Sequence, residues 1–269
     1  MGFQHLEIDK KGWVGTLWLN RPEKLNALSE DMWRDIPLAV DELDADEEIR
    51  VIILAGRGPA FTVGIDVHML AGLRPDGPSP AIENREIYHE IKRLQRTVSS
   101  LAEASKPVIA ALHGHCLGAG VSLISACDIR LASSDASISI RETRMGLVAD
   151  VGALQRLPPI VGNGVTAEMA LTGADYSAAW ALEHGLVNEV FADGPSLTEG
   201  ADELAGSIAA NPPLVTQGIK RILQANDGRT IDQALDYMAQ WNSSFLVSND
   251  LMEAVSAFME KRDPDFSGT

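Results

Sequence analysis

Two carboxylates and two glycine-bearing loops carry the chemistry that this 269-residue chain can perform. Glu142 and Asp150 lie in the stretch 113–158, HGHCLGAGVSLISACDIRLASSDASISIRETRMGLVADVGALQRLP. The turn Gly118-Ala119-Gly120 in that stretch follows a short apolar run at 107–112 and opens an apolar, helix-like segment. A glycine turn entering a helix presents unpaired backbone N–H groups at the positive end of the helix dipole, where negative charge is stabilised. A second loop, FTVGID at 61–66, likewise follows a buried apolar run (50–55) and leads toward a helical patch. Two strand-to-helix turns that each offer an N–H can converge on one oxygen and build an oxyanion hole, in which losing a single donor costs about 2.7–4 kcal/mol. Carboxylates beside such a cradle can move protons to and from carbon. The pattern therefore suits acid/base chemistry that passes through an oxyanion. Plainer readings stand beside it: Asp66 and Asp150 as helix caps, Glu142 as a solvated acid between Arg141 and Arg144, and the glycines as aids to close packing.

Other chemistries have less support. His113 and His115 have no third ligand at metal spacing, so no metal centre is expected and structural roles fit them better. Ser122 lies in no G-x-S-x-G elbow, which argues against a nucleophilic hydrolase. The Gly118/Gly120 pair resembles the start of a dinucleotide fingerprint, but the third glycine is missing and residues 113–116 intervene after the strand. Cys116 and Cys127 fit neither a C-x-x-C nor a zinc spacing and read as buried, reduced residues. A net charge of −16 and a pI of about 4.7 argue against nucleic acid and anionic membranes as partners. No apolar run reaches the roughly 18 residues that span a bilayer, and the first residues do not resemble a signal peptide, so a cytoplasmic location is expected.

The elements that must position these residues follow from periodicity. Alternation at 3–8 and 13–19 around Lys10-Lys11-Gly12 predicts a hairpin. A loop at 20–24 precedes Ser29, a candidate N-cap, and a helix to about Leu43 that Pro37 can disturb. Residues 50–55 read as a strand buried on both faces. The Gly/Pro-rich stretch 71–80 predicts a mobile loop, and 81–104 a long amphipathic helix. Strands follow at 107–112, 128–132 and 136–140. Helices are expected over 153–160, 163–171, 177–184, 196–210, 213–226, 230–247 and 250–261, with one strand at 186–191. The division is an α/β core over 1–193 and a helical region over 194–269. The apolar rows Leu235, Met238, Trp241 and Phe245, and Met252, Val255, Phe258 and Met259, exceed what one core needs and suggest oligomerisation.

FTVGID and HCLGAGVSLISACDIRLAS, together with NRPEKLNALS at 20–29, KPVIAALHG at 106–114 and AFMEKRDPDF at 257–266, resemble the crotonase (enoyl-CoA hydratase/isomerase) superfamily, in the order the family has them. The resemblance implies a crotonase-like spiral of ββα units with a helical C-terminal oligomerisation region, assembled as a homotrimer or homohexamer. It implies an acyl-CoA thioester as substrate, with no separate cofactor. The thioester oxygen would lie between the backbone N–H groups of Ile65 and Ala119. Lys24, Leu25, Ala27, Gly64, Asp66 and Gly118 would line the path of the substrate and its CoA, with Lys261 of a neighbouring subunit as a phosphate partner. Hydratases of the family use two glutamates; Glu142 matches the second, but Ser122 stands where the first would be. The delta-3,5-delta-2,4-dienoyl-CoA isomerase branch fits better. Glu142 and Asp150 match two of its three acids, GLVADVGALQRLP resembles its text, and Ser122 again replaces the remaining acid. The resemblance thus implies Asp150 as base, Glu142 as the distal acid, and Ser122 as a group that tunes the site by bonding Glu142 or a water. Alternatives are a hydratase with unusual acids, or a non-catalytic protein of the same fold.

Overall fold

The computed structural model describes residues 2–72 and 79–269. The loop expected at 71–80 falls mostly on residues 73–78, outside the described residues. The chain opens with β1 (Leu6–Lys11) and β2 (Val14–Leu19), an antiparallel hairpin. Its turn is Gly12-Trp13 rather than Lys10-Lys11-Gly12. Gly12 takes φ 57°, the positive φ that a tight hairpin turn needs at its first position.

The helix α1 (Glu30–Ala45) is capped by the Ser29 hydroxyl, which accepts from Met32 N. It continues across Pro37. Proline has no N–H for the carbonyl four residues back, and that carbonyl, Trp33 O, instead accepts from the buried Thr97 hydroxyl at 2.7 Å. Thr97 lies on α3 (Pro80–Glu103), so one local defect becomes a bond between two helices.

Then come β3 (Val51–Gly56), α2 (Val67–Gly72), β4 (Val108–Leu112), β5 (His115–Leu117), α4 (Ala119–Ser125), β6 (Ile129–Ser133) and β7 (Ser137–Ser139). The span expected to be one helix at 153–160 is two short ones, α5 (Ala153–Arg156) and α6 (Pro158–Val161), divided where Pro158 begins. After α7 (Asn163–Thr172) come β8 (Tyr176–Ser177), α8 (Ala178–Glu183) and β9 (Glu189–Phe191). The chain finishes with α9 (Gly194–Ala209), α10 (Pro213–Ala225), α11 (Ile231–Phe245) and α12 (Asn249–Glu260).

One sheet runs β1-β2-β3-β4-β6-β9, parallel except for the hairpin, and a second runs β5-β7-β8. The two-residue β8 and three-residue β5 were not expected; each is too short to show a period. In β3, Ile52 and Leu54 face the core formed with α1, α3 and α4, while Val51, Ile53 and Ala55 face Leu197, Ala201 and Ala205 of α9. This two-sided burial is why strand 50–55 reads as a continuous apolar run. The helix α9 covers the sheet although it lies beyond residue 193.

Buried Lys220 on α10 ties the helical region to this core. Its ammonium donates to Leu101 O and Lys106 O at 3.1 and 3.0 Å and pairs with Asp128 at 2.9 Å. Asp128 also accepts from Val108 N, at the start of β4. Among the described residues no helix is long and apolar enough to cross a membrane.

Candidate active site

The two glycine loops meet side by side. Loop 61–66 is an extended segment held on both flanks. On one side Leu28 N donates to Gly64 O (2.8 Å) and Asp66 N to Leu28 O (3.0 Å). On the other, Thr62 N donates to His115 O (2.9 Å) and Leu117 N to Thr62 O (3.0 Å). Successive N–H groups of an extended chain alternate sides, so with Gly64 O and Asp66 N spent on Leu28, Ile65 N–H faces away from it. Ala119 N is the first amide of α4 and has no intrahelical acceptor. Among the described residues neither amide donates to the protein.

Gly64 makes the close approach possible. It has φ +88°, and a β-carbon there would lie 2.7 Å from Leu117 O and 3.3 Å from Ala119 N. Gly118, the N-cap of α4, takes φ 54° and ψ −120°.

The Glu142 carboxyl closes the other side of this turn. Its Oε1 and Oε2 lie 3.6 and 3.7 Å from where a Gly118 β-carbon would be. Glu142 starts a single 3-10 turn, Glu142–Met145, and its Oε2 is buried without a partner among the described residues. Burial pushes its pKa above the ordinary 4.5; its own backbone N–H opposes this, and the negative charge of Asp150 adds a smaller upward push. Asp150 has solvent access, yet the protein around its carboxyl still raises its pKa, with its own N–H opposing. The N-cap of α5 is Gly152, so Asp150 does not cap that helix. Instead α5, which follows it, packs on α4, and Asp150 is near enough to Glu142 for its charge to act on that carboxyl.

Ser122, one turn into α4, is fully buried. Of the two partners expected for Ser122, Glu142 or a water, Glu142 is not bonded: Ser122 Oγ has no protein partner among the described residues.

The other expected ligand contacts divide. Lys24 is exposed at the end of the 3-10 turn Pro22–Lys24, and Leu25 follows in the left-handed region at φ 50°. Ala27 is buried beneath them, 9% exposed. Lys261 ends α12, exposed and left-handed at φ 57°. Asp66 is engaged within the protein: its carboxylate accepts from Arg21 Nη1 at 2.6 Å and from His68 N at 3.0 Å, and both bonds hold its pKa down. It is the cap of α2 and an ion-pair partner, so its charge is already committed.

Sequence reasoning missed Asn26, which organises this entrance. Fully buried, it accepts from Arg21 N (2.7 Å) and donates to Arg57 O (2.9 Å) and Ala60 O (2.7 Å), while Thr62 Oγ1 donates to Asn26 O at 2.6 Å. An amide side chain between apolar neighbours in LNAL was the one available signal. Of the histidines, His113 bonds Gly58 O at 2.8 Å and His115 is exposed on β5. Cys116 and Cys127 are buried free thiols, the latter pushed up to about 12 by burial. Among the described residues no cluster of His, Cys, Asp and Glu has the makings of a metal site.

The family profile described as enoyl-CoA hydratase/isomerase matches residues 9–269. The peroxisomal Delta(3,5)-Delta(2,4)-dienoyl-CoA isomerase of Arabidopsis thaliana is 41% identical over 271 residues, covering 98% of both chains. The mitochondrial enzyme of that name from Homo sapiens is 38% identical, over 91% of this chain and 76% of its own. The crystal structure of enoyl-CoA hydratase from Bacillus anthracis superposes with a TM-score of 0.91 at 30% identity, covering 99% of this chain and 100% of that one. Fold similarity and near-complete sequence coverage agree, and the chain belongs to the enoyl-CoA hydratase/isomerase family.

Proposed function

We propose that the protein isomerises a 3,5-dienoyl-CoA to its conjugated 2,4-isomer. The observation that carries this reading is the site's pair of carboxylates, Glu142 and Asp150, both with raised pKa, beside two amides without a protein acceptor among the described residues, with a serine at 122 where the first glutamate of a hydratase would stand. Ile65 N–H and Ala119 N–H hold the thioester oxygen. Asp150 removes a proton from C2, the electron pair spreads through the dienolate onto that oxygen, and Glu142 delivers a proton to C6. One proton leaves and one enters, so no redox partner or metal is required, and CoA is part of the substrate rather than a separate cofactor. A raised pKa suits both acids, because a proton donor must hold its proton near neutral pH and a base should be strong enough to take one from carbon.

Lys24 and Leu25 border the CoA path in this reading, and Lys261 serves the phosphates of a neighbouring subunit. The C-terminal helices support an assembly. The 15-residue α11 buries no residue in the single chain, and Phe258 and Met259 of α12 are 84% and 77% exposed. Apolar faces of that size fit a homotrimer or homohexamer; a solution mass of one chain would rule this out. Two unpaired thiols fit a reducing compartment such as the cytoplasm, while relatives with peroxisomal and mitochondrial names live in organelles.

The test is a panel of acyl-CoA substrates followed for double-bond migration and for hydration together. The reading expects migration on 3,5-dienoyl-CoA and weak hydration of 2-enoyl-CoA, since Ser122 supplies no second carboxylate to activate water. Robust hydration without migration would make the protein a hydratase with unusual acids instead.

A further inference from the structure

Asp150 rides on a turn that lacks the backbone bonds fixing the rest of the site. Among the described residues, no N–H or C=O of 148–151 bonds to another backbone group. Backbone of that kind must be placed by side chains or by water. Ala149 and Val151 are buried at 5% exposure on either side of Asp150, which anchors the turn's flanks but not its rotation.

Helix α3 supplies what is missing. Gln95 Nε2 donates to Asp150 O at 2.7 Å, and Gln95 Oε1 accepts from Lys92 Nζ at 2.9 Å, which sets the amide's orientation. Four residues on, Ser99 Oγ accepts from Arg156 Nη2 at 2.9 Å. Residues four apart share one helix face, so α3 offers both groups to the same side. Arg156 also fills the space beside Gly152: at φ +120°, a β-carbon on Gly152 would fall 1.9 Å from Arg156 Nη1. The turn is thus gripped at Asp150 itself and again two residues later.

We propose that Gln95 is a positioning residue for the Asp150 carboxylate, and that Gln95 with the Ser99–Arg156 pair forms a brace from α3 that aims the acid at the substrate. The proposal rests on the reading of Asp150 as the base. Gln95 touches only the carbonyl of Asp150, so its influence must pass through that residue. Displacing a catalytic group by 1 Å can cost about 10²-fold, and a partly freed turn moves by less than that on average.

The test is a double-mutant cycle on 3,5-dienoyl-CoA isomerisation, comparing wild type, Gln95→Ala, Asp150→Asn and the double variant. Gln95→Glu is run beside them as a same-size side chain that cannot donate when ionised. Gln95→Ala and Gln95→Glu should each lower kcat about tenfold, leave KM within about twofold, and add no further loss in the Asp150→Asn background. Wild-type kcat in both Gln95 variants overturns the brace, and so does a full, additive loss on top of Asp150→Asn. Full activity of Asp150→Asn alone overturns the assignment of the base, and the brace with it; that failure is read from a variant in which Gln95 is intact.

Discussion

Asp150→Asn and Glu142→Gln are each expected to lower the isomerisation rate by about 10²–10⁴-fold, the range that a positioned acid or base contributes. Both substitutions keep side-chain size, so loss of rate reports loss of proton transfer. Glu142→Gln carries a second expectation, of opposite sign, for stability. Burial raises the folded-state pKa of Glu142 above 4.5, so the ionised form is the disfavoured one. Well below that value the carboxyl is neutral folded and unfolded, and the glutamine gains nothing through ionisation. As pH rises through the folded-state pKa, the wild type must carry a half-buried carboxylate whose Oε2 has no partner among the described residues, and it loses stability that the variant keeps. The variant's Tm should exceed that of the wild type at about pH 7, and the gap should close on acidification. A gap that widened toward low pH would mean that the carboxylate is paired in the native state.

Gly64→Ala should be comparably damaging without touching either acid. The new methyl would meet Leu117 O at 2.7 Å and Ala119 N at 3.3 Å, on a backbone at φ +88°. The colliding atoms are backbone and cannot swing aside, so the two loops must part. Separating the Ile65 and Ala119 donors weakens both hydrogen bonds to the developing oxyanion; loss of one such donor costs about 10²–10³ in kcat. The expected signature is a fall in kcat larger than any rise in KM, with the circular dichroism of the fold retained. Wild-type kcat in Gly64→Ala would mean that the thioester oxygen binds elsewhere.

The parts of this site that could be read from the chain are those written in local pattern. The runs at 50–55 and 107–112 announce strands, and the glycines that follow them announce turns needing positive φ or close approach. Glu142 and Asp150 stood out as ionisable groups beside such a turn. The parts that could not be read depend on partners distant in the chain. Gln95 meets Asp150 across 55 positions, and its helix has an ordinary amphipathic pattern there. Asp66 looks the same in sequence whether it faces a ligand or Arg21, and only the fold brings Arg21 to it. Pro37 predicts a disturbed helix because local rules see the missing N–H but not Thr97, which takes the freed carbonyl. Likewise α9 reads as one more C-terminal helix, and nothing local tells that its alanines lie on β3 and β4.

Asp150 and Glu142 are expected to act in sequence on one dienolate, and solvent deuterium reads this directly. In D₂O, with a 3,5-dienoyl-CoA, the Glu142→Gln variant keeps the base and the two amides. It should therefore exchange hydrogen at C2 with solvent while forming little product. Asp150→Asn should do neither, and the wild type should carry solvent deuterium into C6 of the 2,4-isomer. Rapid C2 exchange in Asp150→Asn, or its absence in Glu142→Gln with the fold intact, would contradict the assignment.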